Sequence, residues 1–194
     1  MGETFDTLTR NGISAGNSAM YAGGKTRSTL TASDVLTPTL VNKAATWLKK
    51  NGVPKIDGSY IALIHPCVAE DLRESDAWKD VHKYAAVKEI FKGEIGELHG
   101  VRIIETNNAK IVKGGANSAV SVFFTMFFGK DAFGECDVEG EGKEMIIKPR
   151  GAIGGPLEQY STIGYKFCHA SAILYQERLL RVETSSSYST EDAN

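Results

Sequence analysis

The chain has 194 residues, 42% of them apolar, which is enough for one large domain or two small ones with a sizeable core. Its 22 basic and 24 acidic residues give a net charge of -2 and a pI near 6.1, without the basic excess of a protein built to grip phosphates, so nucleic-acid binding is disfavoured as a primary role. Nothing approaches ~18 consecutive apolar residues, and "MGETFDTLTRNG" has no basic start ahead of an apolar run, so neither a membrane span nor a signal peptide is expected. Cys67, Cys136 and Cys168 form an odd, sparse set without CxxC spacing, which predicts reduced thiols.

Taken in order, "GETFDTLTR" reads as the end of a helix, with Phe5 and Leu8 on one face and Asn11-Gly12 as the stop. A Gly/Ser/Asn/Thr-rich connection follows from Ile13 to Ser28. "TASDVLTPTL" then supplies capping residues and Pro38 for a second helix, in which Leu40, Val41, Ala44, Trp47 and Leu48 share a stripe that Gly52 and Pro54 terminate. "SYIALIHP" predicts a short buried strand, and Pro66 opens a helix with Val68, Ala69 and Leu72 facing inward. A further helix is expected around Trp78 to Phe91.

Beyond that point the pattern turns to strands: "AVSVFFTMFFG", "EMIIKP" and "YSTIGYKFCHASAILYQERLLRVE". The last residues, "TSSSYSTEDAN", have little to bury and predict a disordered tail. No repeat period emerges.

Between helix and strands lies "GEIGELHGVRIIET". A two-residue turn at His99-Gly100 pairs Leu98 with Val101, Glu97 with Arg102, Gly96 with Ile103 and Ile95 with Ile104. That register sends Leu98, Val101 and Ile103 to a core and sets Glu97 beside Arg102 on the other face. Glu94 and Glu97, three apart, then serve as a solvated face rather than as an acid/base pair.

Other stretches carry chemistry-bearing residues. "YAGGKTRST" ends like a phosphate loop at Gly24-Lys25-Thr26, but Ala19 stands where that loop needs glycine and no buried strand precedes it, so nucleotide binding is not expected. His65 and Cys67 in "IHPC", with Cys168 and His169 in "FCHA", are zinc-ligand types without zinc spacing. His65 sits at a helix N-cap position and Cys168 and His169 alternate across a strand, so packing roles are expected. "GNSAM" from Gly16 to Met20 is not a nucleophile elbow, and no HExxH occurs. Cys67 beside His65 is the remaining enzymatic pair, and it grounds a cysteine hydrolase as the third functional reading.

"DGSYIALIHPCVAEDLRESDAWKD", "IFKGEIGELHGVRIIETNNAK" and "FFGKDAFGECDVEGEGKEMIIKP", in that order across roughly Leu30 to Glu183, resemble the major capsid proteins of tailed bacteriophages, of the N-four-type coat family. The resemblance implies an α+β Hong Kong 97-type shell fold, with an A-domain, a partial P-domain and mixed sheets flanked by helices. Residues 1–30 would be the end of the spine helix and its connection, 31–145 mainly A-domain, 146–184 the return strands and 185–194 a tail. It further implies a structural, non-enzymatic virion subunit made in the bacterial host cytoplasm. Its partners would be copies of itself in hexamers and pentamers, with scaffold, portal and decoration proteins, and it would have no cofactor, catalytic residue, metal site, membrane contact or specific nucleic-acid site.

The family's N-arm and E-loop region has no counterpart ahead of Phe5. A truncated chain is therefore expected, one that alone stays a monomer or small oligomer rather than closing into shells. The runner-up is a cellular encapsulating-compartment shell of the same fold.

Overall fold

The structure is a computed structural model, and it describes residues 19–76, 78, 94–116, 119–136, 144–152, 157, 159–166 and 170–189. The expected N-terminal helix end, nearly all of the helix from Trp78 to Phe91, and Cys168 with His169 lie outside the described residues. The chain divides into two compact units, one of Met1–Ala132 with Ile173–Asn194, the other of Phe133–Ala172.

Among the described residues the first unit is a seven-stranded mixed sheet with two α-helices of known bounds. Its strands are β1 (Ala19–Tyr21), β2 (Tyr60–Ile64), β3 (Glu94–Leu98), β4 (Val101–Glu105), β5 (Ile111–Lys113), β6 (Ser121–Phe128) and β11 (Leu179–Thr184). Across the sheet they run β1-β11-β6-β2-β4-β3, with β5 beside β6. The pairs β1/β11 and β2/β4 are parallel and the others antiparallel. Strand β6 is buried at every position, because β11 lies along one edge while β2, at Met126–Phe128, and β5, at Ser121–Phe123, share the other. Phe123, Phe127 and Leu180 are among the largest fully buried side chains.

Helix α1 (Pro38–Lys50) begins where the sequence places it. Thr37 accepts a hydrogen bond from the Leu40 amide at 3.4 Å, and Pro38 loses nothing at a position whose amide has no helical partner. The stripe Leu40, Val41, Ala44 and Leu48 is buried and Trp47 half-buried. Helix α2 (Pro66–Glu74) buries Val68, Ala69 and Leu72 as expected.

The β3–β4 hairpin has the expected turn, with φ of +53° at His99 and +79° at Gly100. Both central residues in the left-handed region make this the turn whose twist matches the flanking strands, and glycine takes the second position without strain. Leu98/Val101, Glu97/Arg102 and Gly96/Ile103 pair as derived, and Leu98, Val101 and Ile103 are buried. One pairing is corrected. A bulge between Glu94 and Gly96 makes Glu94, not Ile95, the partner of Ile104.

The first residues of the expected tail are packed instead. Thr184, Ser185 and Ser186 are all fully buried, and the Ser185 and Ser186 hydroxyls donate to the Thr31 and Cys67 carbonyls.

Two short two-stranded ribbons follow, almost wholly in the second unit, the β8–β9 one antiparallel. One joins β7 (Phe133–Cys136) to β10 (Ala170–Ile173), and the other joins β8 (Glu144–Lys148) to β9 (Thr162–Lys166).

Candidate functional site

Those residues singled out for chemistry that the structure describes, His65, Cys67, Gly24 and Lys25, are used as architecture. His65 caps α2: its Nδ1 accepts the Cys67 amide at 3.3 Å, and its ring lies tilted against Phe123 with centroids 5.1 Å apart. Cys67 is a buried cysteine in the first turn of that helix. Gly24 and Lys25 lead out of a tight turn, where Lys25 Nζ donates to Asp34 Oδ2 at 2.7 Å instead of facing a phosphate cradle. Burial alone would push the Asp34 carboxyl up, but Lys25 and the Thr31 amide and hydroxyl donate to it and hold it below its ordinary value. Glu97 is exposed at the hairpin, as a solvated-face residue should be. Among the described residues no group of three His, Cys, Asp or Glu side chains could hold a metal, and no helix is long and apolar enough to cross a membrane.

One charged cluster escaped the sequence reading, because its members stand 156 residues apart. Arg27 donates to both carboxylate oxygens of the fully buried Glu183, each bond 2.6 Å long. Those bonds hold the Arg27 guanidinium above its ordinary pKa. Arg181 Nε lies 2.8 Å from Glu183 Oε1 but off the N–H direction, so that contact is an ion pair without a directed hydrogen bond. Both guanidinia lie over the Phe124 ring, at 5.2 and 4.9 Å from its centroid. The cluster clasps the connection before α1 to strand β11.

The surface that stands out belongs to the β8–β9 ribbon. Its register opposes Met145 to Tyr165 and Ile147 to Ile163, and alternation places all four on one face. Glu144, Lys148, Thr162 and Lys166 fall on the other. The four apolar side chains are 66%, 79%, 60% and 71% exposed in that order. Aromatic and large aliphatic side chains laid open together make a patch of a few hundred Å², the size at which an exposed apolar face marks an interaction site. The signal in the sequence is the alternation of Met145 with Ile147 and of Ile163 with Tyr165. Ile146 blurs it, and only the strand register shows that the four residues share a face.

Comparison with known proteins bears on what such a face is for. The family described as "Phage capsid protein" matches residues 7–134. No curated protein sequence matches the chain. Among solved structures, the chain is similar to the capsid of Ralstonia phage GP4, with a TM-score of 0.70 and 18% identity, over 94% of this chain and 55% of that one. It is also similar to the cyanophage Pam1 capsid, with a TM-score of 0.71 and 13% identity, over 93% of this chain and 57% of that one. The holo-SrpI encapsulin complex from Synechococcus elongatus follows with a TM-score of 0.61 and 10% identity, over 99% of this chain and 64% of that one. The chain thus spans a little over half the length of the two phage capsid chains, and its α+β fold is of the Hong Kong 97 type. The family match covers most of a sheet-and-helix unit whose fold the solved capsids share, and on that ground the chain belongs to the phage capsid protein family.

Proposed function

We propose that this chain is wall material of an icosahedral phage shell, acting by association with copies of itself in hexamers and pentamers and located in the virion. The observation that carries the reading is the family match over residues 7–134. The exposed apolar face of the ribbon supports it, since a wall subunit works through the surfaces it covers on neighbours. The net charge of -2 fits a container around DNA, which needs contacts between subunits more than contacts to phosphate.

In this reading residues 31–145 serve mainly as the A-domain and 146–184 as the return strands, with scaffold, portal and decoration proteins as further partners. The subunit needs no catalytic residue, and His65 and Cys67 keep the structural duties their contacts give them.

Sedimentation and electron microscopy of the purified chain at rising concentration test the proposal. Association that Ile147→Lys with Ile163→Lys abolishes is expected, while the circular dichroism of the fold stays unchanged. Association that persists undiminished in the doubly substituted chain would count against it. The likeness to the encapsulin supplies a second reading, a cellular compartment wall. Particles isolated from the native host decide between them, since packaged DNA marks a virion and packaged enzyme a compartment.

A further inference from the structure

The serine run after β11 is held in a way that its composition does not announce. Ser185 donates its hydroxyl to the Thr31 carbonyl at 2.6 Å and its amide to the Asp34 carbonyl at 3.0 Å. Ser186 donates its hydroxyl to the Cys67 carbonyl in α2 at 3.1 Å. Ser187 presents its amide to both Asp71 oxygens, at 3.3 and 3.2 Å, and its hydroxyl to Oδ1. Three consecutive hydroxyls thus meet three acceptors, one in the connection before α1 and two on α2. Asp71 is 7% exposed and accepts hydrogen bonds from the Ser187 hydroxyl and amide.

The chemistry of this attachment differs from that of the rest of the unit. From Thr184 to Ser187 no large apolar side chain is buried, so the segment gains little from removing surface from water. Each hydrogen bond replaces one that water would supply, and its net contribution is small. A segment attached in this manner opens locally at lower free energy than the sheet that carries it.

We infer that residues 185–188 form a releasable polar strap, with Asp71 as its catch, which ties the end of β11 to α2 and to the connection ahead of α1 and opens independently of the sheet. Thr184 provides an internal control. Its hydroxyl is buried without a hydrogen-bond partner, so it does not take part in the fastening.

Hydrogen exchange on the full chain tests the inference, comparing peptides covering 184–189 with those covering β6. In Asp71→Asn, strap amides should exchange at least tenfold faster while β6 amides keep their protection. Ser187→Ala should show the same pattern at a smaller size, and Thr184→Val should show no change. If strap and β6 amides accelerate together, or if Asp71→Asn unfolds the chain, the contact belongs to the core and the strap reading is overturned. Unaltered exchange in both Asp71→Asn and Ser187→Ala overturns it as well.

Discussion

Strand β6, "SVFFTMFF", and the ribbon strands "EMIIK" and "TIGYK" are all rich in apolar residues, yet β6 is buried at all of its positions and the ribbon strands are exposed at all of theirs. The difference does not lie in the side chains. It lies in the neighbours, since β6 has strands on both edges and helices in its unit, whereas β8 and β9 have one another. A two-stranded ribbon buries too little to be stable by itself in water, and under the proposed function its apolar face is the surface a neighbouring copy would cover.

The largest effect that would test this contrast sits in β6. Phe127→Ala removes a ring that is 1% exposed and should cost about 3–5 kcal/mol in denaturant unfolding. Ile163→Ala on the ribbon should stay within ~0.5 kcal/mol. Comparable losses at the two sites would show that the ribbon face is already covered within one chain.

Next in size is the clasp. Arg27→Ala strips the fully buried Glu183 of its bidentate partner and leaves it only the misdirected Arg181, a loss of about 1–3 kcal/mol by thermal or denaturant unfolding. Arg27→Lys should recover little of it, since an ammonium cannot make both bonds in the same plane.

Of similar size is the hairpin turn. At Gly100 an added Cβ would meet little besides the Lys55 ammonium at 3.8 Å, so the penalty of Gly100→Val is conformational, about 1–3 kcal/mol for a β-branched residue held at positive φ. His99→Asn should be neutral or slightly stabilising, because asparagine adopts φ near +53° more readily than histidine.

The smallest effect is a pH dependence. The carboxyl of Asp34 lies below its ordinary value in the folded chain, so its contribution to stability is fully present above the unfolded pKa, about 3.9, and is lost as pH falls through the folded pKa. Asp34→Asn should flatten the acid limb of the stability profile and leave its shape above pH 6 unchanged.

What the sequence disclosed followed from local chemistry. Thr37-Pro38, His65-Pro66 and His99-Gly100 mark their own caps and turn, and the stripe on α1 and the inward face of α2 follow from spacing. The hairpin register could be derived as far as Gly96, where the bulge breaks the alternation that the derivation relied on. The clasp, the strap and the ribbon face were hidden for one shared reason. Each depends on a contact or register between distant residues, such as Arg27 with Glu183, Asp71 with Ser187 and Ile147 with Ile163, and no local pattern encodes those. Serines in particular read as solvent-seeking when their acceptors lie more than a hundred residues away.

The parallel pairing of β1 with β11 carries one more consequence, for the timing of synthesis. Ala19, Met20 and Tyr21 lie beside Arg181, Val182 and Glu183, and β11 also fills the place between β1 and β6. A chain made from its N-terminus cannot complete this sheet until residues 179–184 have left the ribosome, and contacts of such long separation form late and slowly. Nascent chains therefore remain without their finished sheet until those residues have emerged.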